Sequence, residues 1–154
     1  MSSRDLQNVY LFKTLSADEM GAVAAIGKSQ PFGMGDTIFL KGDAAKALYF
    51  IKIGTIKIQQ SSKSGDNIDV ATLSAGSHFG EMAFVDGQAR SATAVAADRG
   101  ELIVIPYDKL MSLLNTNAQI AVKVYRELAN FLCGRLRVTT SDLSYIKEKN
   151  LSHF

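Results

Sequence analysis

The rhythm of apolar and polar positions changes twice along the chain. Over residues 9–27 the segment Ser16-Ala17-Asp18-Glu19 has the S-x-x-E form, in which the serine hydroxyl and the glutamate carboxylate each cap a free backbone N–H. Met20, Val23 and Ile26 then recur on one helical face. This predicts a short helical lead-in packed against a neighbouring body. From Gln30 the apolar runs shorten and glycine turns separate them. Strands are expected at Thr37–Leu40, Ala47–Ile53, Ile56–Gln60, Ile68–Leu73, Thr93–Ala97 and Glu101–Ile105, with the polar stretch SSKSGDN as a hairpin tip. Roughly seven or eight short strands at this spacing point to a jelly-roll barrel or sandwich, between which periodicity does not choose.

After Pro106 the pattern becomes helical. Tyr107 to Leu114 reads as one short helix, Asn115-Thr116-Asn117 as a break, and Ala118 to about Lys149 as a long helix without proline. Ala118, Val122, Tyr125, Ala129, Leu132, Leu136, Thr139, Leu143 and Ile146 form an a/d seam along it. A straight helix of about 30 residues spans roughly 45 Å, more than a small barrel is wide. Its first half is therefore expected on the strands, and its second half against another copy in a homodimer. The alternative is a helix bent back onto its own sheet, with Gly134 as the place to bend.

Composition narrows the class of protein. The 154 residues are 47% apolar and 21% charged, which suits a folded globular chain. A net charge of +2 is too small to argue for nucleic acid. The single cysteine, Cys133, has no internal disulfide partner, and no run is long and apolar enough for a membrane span or a signal peptide. A cytoplasmic protein is expected.

The chemistry concentrates in Phe79–Val95, FGEMAFVDGQARSATAV. Gly80 lets backbone come close to a ligand, and Glu81-Met82-Ala83-Phe84 can form a helical turn with outward N–H groups, which attracts anions. Arg90, after an Asp86-Gly87 turn, can bring a planar guanidinium to the same anion. Glu81 would repel that anion unless it accepts hydrogen bonds from ligand hydroxyls, such as those of a ribose. Taken singly, these residues read equally as a turn glycine and surface ion-pair partners. Elsewhere the inventory for catalysis is thin. His78 and His153 are the only histidines, and His78 reads as a surface residue at a strand end. Nucleophile-elbow, zinc-protease and P-loop patterns are absent, and no metal-ligand spacing occurs. The expectation is a binder without metal, not an enzyme.

These residues resemble the cyclic nucleotide-binding domain, especially the sensor of the bacterial cAMP receptor protein family. The resemblance runs from about Leu11 to Leu143. It rests on the cassette above together with KGD at Lys41–Asp43, LYFI at Leu48–Ile51 and G-x-I-x-I at Gly54–Ile58. It implies a mainly β, α+β fold: a double-stranded β-helix (jelly-roll) barrel with an N-terminal helix and a long C-terminal helix. It also implies that Arg90 pairs with the phosphate and Glu81 with the ribose 2′-OH. Gly80 and Met82 would contribute backbone contacts, Ser91 a hydroxyl to phosphate or purine edge, Val70 the base pocket, and Thr139 a contact to adenine. Thr139 reads equally as a register-setting polar position in a dimer, and the two roles are compatible. Ala89 and Phe84 depart from the usual pattern without removing a ligand-contacting group.

The expected organisation is one domain over 1–154, with lead-in helices 1–29, the β-roll 30–106, C-terminal helices 107–149 and a tail 150–154. Only the eleven residues 144–154 follow Leu143, too few for a winged helix-turn-helix. The expectation is thus a stand-alone cAMP sensor, or a fragment of something longer. It would be homodimeric, without a DNA-binding domain, and would signal to an effector protein by repositioning its C-terminal helix. A cGMP or cyclic-dinucleotide binder and a ligand-free scaffold remain as alternatives, and DNA binding through Arg126, Arg135, Arg137, Lys147 and Lys149 is the weakest.

Overall fold

Two apolar runs, Ala47–Ile53 and Gly100–Pro106, are hydrophobic at successive positions and not only at alternate ones. In a strand that pattern means burial on both faces. The computed structural model describes residues 3–151 and bears this out. His153 and the last residues of the expected tail lie outside the described range.

The strands are β1 (Lys28–Phe32), β2 (Thr37–Phe39), β3 (Ala47–Ile53), β4 (Ile56–Ser61), β5 (Asn67–Leu73), β6 (His78–Phe79), β7 (Thr93–Ala96) and β8 (Gly100–Pro106). They form two antiparallel sheets, ordered β1-β8-β3-β6 and β2-β7-β4-β5. The jelly-roll expectation is therefore met by two four-stranded sheets packed face to face, and not by a closed barrel. Phe32, Ile51, Phe79 and Leu102 of the first sheet meet Ile56, Ala94 and Ala96 of the second. The other face of the first sheet, through Leu48, Phe50, Ile103 and Ile105, packs on the helices. This sheet is the middle of three layers.

The helical layer comprises α1 (Ala17–Ile26), α3 (Tyr107–Thr116) and α4 (Ala118–Leu151); α2 (Glu81–Asp86) belongs to the cassette. The lead-in is not one helix from residue 9. Two 3-10 turns, Ser3–Leu6 and Tyr10–Phe12, precede α1, which starts where Ser16 and Glu19 form the expected reciprocal capping box. Residues 28–29, expected as lead-in, open β1. That strand lacked an apolar signature because it is an edge strand with only Phe32 buried, where Pro31 leaves no ladder bond unmade. Strand β6 was also not expected, being two residues long.

The long helix corrects its own sequence reading. It runs unbroken through Gly134 and continues to Leu151, two residues into the expected tail. Its first half packs through Ile120, Val124 and Leu128 into a core shared by the helical layer and the strand residues Leu48, Phe50, Ile103 and Ile105, while Val122 and Tyr125 of the expected seam are exposed. Two ion pairs fix the same half. Lys123 lies 2.6 Å from Glu19 of α1, and Lys13, after the second 3-10 turn, lies 3.3 Å from the buried Glu127. From Cys133 to Leu151 every residue is exposed.

One close approach sets the packing of β3 against β8. A Cβ on Gly100 would stand 2.0 Å from the Ile53 carbonyl oxygen and 2.7 Å from the Phe32 ring, beside the register shift at Ile51/Ile53. Backbone cannot yield there as a flexible side chain can. Gly100→Ala is therefore expected to destabilise the protein by at least about 2 kcal/mol in urea denaturation. A midpoint unchanged from the parent would show that the two strands can separate freely.

Candidate functional site

The cassette begins where β6 ends. Gly80 has φ 84°, in the left-handed region that L side chains avoid, and it turns the chain from the sheet into α2. A Cβ at this position would also stand 2.7 Å from Nη1 of Arg90 and 3.2 Å from the Ala47 carbonyl oxygen. Glycine is required here twice, by backbone conformation and by space. Phe84 of α2 packs on the rings of Tyr107 and Tyr125, at 5.3 and 6.3 Å, which ties the cassette to α3 and α4.

Arg90 is buried, with 5% of its surface exposed. It is not the surface ion-pair partner that its spacing alone allowed. Nη2 donates to the Ala47 carbonyl at 2.7 Å, and Nη1 donates to Gly80 O at 3.2 Å and to the Tyr107 hydroxyl at 2.9 Å. The Tyr107 hydroxyl in turn donates to Gly80 O. Burial raises the Tyr107 pKa and outweighs the opposing effect of Arg90, so the phenol keeps the proton it donates. The guanidinium lies 4.2 Å from the Phe39 ring centroid and 5.6 Å from those of Tyr49 and Tyr107. The KGD turn holds the backbone: Arg90 N donates to Asp43 O at 2.9 Å, and Gly42 N donates to Arg90 O at 2.8 Å. Among the described residues no carboxylate is paired with this cation, and its Nε is buried without an acceptor.

Glu81, the first residue of α2, is 3% exposed. One oxygen lies 3.7 Å from Nδ1 of His78 and the other 3.8 Å from Nη1 of Arg135 on α4. Both distances exceed hydrogen-bonding reach, so the carboxylate has nearby charge and unused accepting capacity. His78 is itself buried, contrary to its sequence reading as a surface residue.

A cavity of about 440 Å³ lies over these groups, within the size range of small-molecule sites. Val70, Gly80, Glu81, Met82, Arg90, Ser91 and Thr139, the seven residues singled out in the sequence, all line it. Val70 and Met82 are half exposed at its open side. Leu132, Arg135, Leu136 and Thr139, spaced along one face of α4, make a wall. Leu132, Leu136 and Thr139 belong to the expected a/d seam, and Thr139 was also expected at the base end of the site; all three border the chain's own cavity. Phe39, Gln60 and Arg135 also line it and were not anticipated. Arg135 was findable, since it stands one helical turn before Thr139. Gln60 was not, because its role is structural: its amide donates to the Ser91 carbonyl at 2.7 Å while Lys41 donates to its oxygen at 3.0 Å. No group of metal ligands occurs among the described residues.

Comparison with known proteins agrees with this architecture. A cyclic AMP receptor protein from Thermus thermophilus is 29% identical over 88% of this chain, which covers 61% of that protein. Cyclic GMP-binding protein C of Dictyostelium discoideum is 32% identical over 77% of the chain and 4% of its own length. The chain thus spans less than two thirds of either relative. The crystal structure of Thermus thermophilus catabolite activator protein superposes with a TM-score of 0.80 at 28% identity, covering 90% of this chain and 63% of that one. The cyclic nucleotide-binding domain matches residues 29–117, from β1 to the end of α3 and more than half of the sequence. The chain belongs to the cyclic nucleotide-binding domain family.

Proposed function

We propose that the cavity takes cAMP and that this chain acts as a regulatory sensor, not as an enzyme. The observation that carries the reading is the state of Arg90: a buried guanidinium with Nε unpartnered and, among the described residues, no carboxylate paired with it. A cyclic phosphate supplies the missing acceptor and the missing charge. Glu81 then accepts from the ribose 2′-OH, Gly80 and Met82 border the sugar–phosphate end, and Val70 and Thr139 border the base. Ser91, at the cavity's edge beside the cassette, serves either a phosphate oxygen or a guanine edge, and this favours cGMP as the second reading.

In this reading the stretch 1–154 works as one cytoplasmic unit, and α4 carries the output to an effector protein. The support is its asymmetry: a first half fixed by Ile120, Val124 and Leu128, and an exposed second half that walls the cavity. A ligand touching both cassette and helix binds one helix position better than another, and about 5.5 kcal/mol of such preference moves an equilibrium from 1:99 to 99:1. Beyond the cavity Leu143, Tyr145 and Ile146 expose apolar surface on the same helix, which supports a homodimer formed through α4.

Titration calorimetry with cAMP and cGMP tests the ligand. Arg90→Ala is expected to weaken binding at least tenfold, because charged hydrogen bonds contribute about 1.5–3 kcal/mol. An affinity within about a factor of two of the parent sinks the cassette assignment, and tighter binding of cGMP than of cAMP transfers the reading to that nucleotide. For assembly, light scattering is expected to give the mass of two chains, falling to one in Leu143→Asp/Ile146→Asp. A parent that is already monomeric removes the dimer from the proposal.

A further inference from the structure

His78 occupies a position for which neither the sheet nor the core gives a reason. Its imidazole is 3% exposed, and neither ring nitrogen has a hydrogen-bond partner among the described residues. A neutral imidazole must carry one N–H, so a buried donor is left unsatisfied, at a cost of about 1–3 kcal/mol. A phenylalanine would fill the same space among Phe50, at 6.1 Å between ring centroids, and Phe131, at 4.2 Å, without that cost. An acceptor near at hand is Glu81, 3.7 Å from Nδ1. Less than 1 Å of carboxylate movement closes that gap to a hydrogen bond.

We propose that His78 is a positioning residue for Glu81: its Nδ1–H holds the carboxylate in the orientation that accepts the ligand hydroxyl, and its protonation makes ligand affinity depend on pH. The inference rests on the reading of Glu81 as the hydroxyl acceptor. Its sign follows from charge. An anionic phosphate entering the cavity adds a second negative charge beside Glu81, and a cationic imidazole offsets the pair. The bound state therefore favours protonated His78, and binding draws a proton from the buffer onto the ring. Affinity therefore rises as pH falls.

The groups around the ring are consistent with that charge. From α2 it faces Glu81, and from β3 only the Phe50 ring. From α4 it faces the Phe131 ring, a π surface that accepts an imidazolium, and beyond it Arg135, an opposing cation. Arg135 lies 3.8 Å from Glu81 and about half its side chain is in solvent, so its repulsion is screened. The buried carboxylate of α4, Glu127, is already paired with Lys13. Because Phe131 belongs to α4, the same proton tightens the contact between β6 and the helix that walls the cavity.

Two measurements on the full chain test this. In the first, the His78 ring is followed by NMR titration without ligand, assigned as the resonance that disappears in His78→Asn. Glu81→Gln is expected to lower its midpoint by about half a unit or more, and an unmoved midpoint overturns the inference whatever the protein binds. In the second, calorimetry with cAMP in buffers of different ionisation enthalpy is run between about pH 8 and about pH 6. The parent is expected to gain roughly threefold to tenfold in affinity with proton uptake. His78→Asn, which keeps a neutral donor near the Nδ1 position, should bind with a flat profile close to the parent's high-pH affinity, and His78→Phe should bind more weakly with a flat profile. A sloping profile in His78→Asn, or a flat one in the parent, overturns the proposal. If the midpoint moves but cAMP and cGMP both fail to bind, the functional reading falls and the His78–Glu81 coupling stands.

Discussion

The site depends on one unusual arrangement, a guanidinium removed from water with no carboxylate paired to it among the described residues. Burying a cation costs several kcal/mol unless its donors are satisfied and its charge is offset. Around Arg90 the donors meet two carbonyls and a phenol, and three aromatic faces offset part of the charge. Carbonyls and rings solvate a cation without cancelling it, so the positive potential remains directed at the cavity. A carboxylate in their place would leave an incoming anion a competitor to displace. The features that seemed separate in the sequence serve this one group: KGD clamps the Arg90 backbone, Gly80 leaves room for Nη1, and Tyr107 completes the donor set.

The middle sheet lets that arrangement communicate with the helices. Successive side chains of a strand point to opposite faces. On β3, Tyr49 faces the roll interior and Arg90, while Phe50 faces the helical layer and His78. On β6, Phe79 stacks on Tyr49 while His78 meets Phe131 of α4. Two adjacent residues on each of two paired strands thus touch both the anion pocket and the helix that walls it. An edge strand of only two residues suffices, because its task is to present one side chain to each layer.

Much of this was legible in the chain, and the gaps have physical causes. The middle-sheet strands β3 and β8 announce themselves by apolar runs, residues 47–51 and 102–105, and α1 by its capping box. β1 does not, because an edge strand with one buried residue has no pattern to show. The seam of α4 was misread because spacing shows that residues share a face, not which neighbour they face: Ile120, Val124 and Leu128 form an equally good stripe, and it is the one the core takes. At the site, residues that act through side-chain charge stand out by type, as Arg90 and Glu81 do. His78 is placed by burial and Gln60 by a bond to backbone, and neither leaves a mark on composition or spacing.

The same helix illustrates why the cavity's apolar wall matters more than its area. Leu132, Leu136 and Thr139 border the cavity from a segment whose other faces are in water, whereas Phe39, Phe79 and Gly80 border it from the packed roll. Contacts to the roll contribute equally wherever α4 lies. Contacts to the wall contribute only while α4 lies against the cavity, so they alone can bias its position. Arg135 adds a polar counterpart, being held near Glu81 in this arrangement by attraction across 3.8 Å that a hydrogen bond has not fixed. A hydroxyl bound to Glu81 would change the partner that this cation sees. In the proposed switch the coupling between ligand and helix therefore resides in a few side chains on one helical face, and the rigidity of the roll behind them would keep a ligand's effect from dissipating into the core.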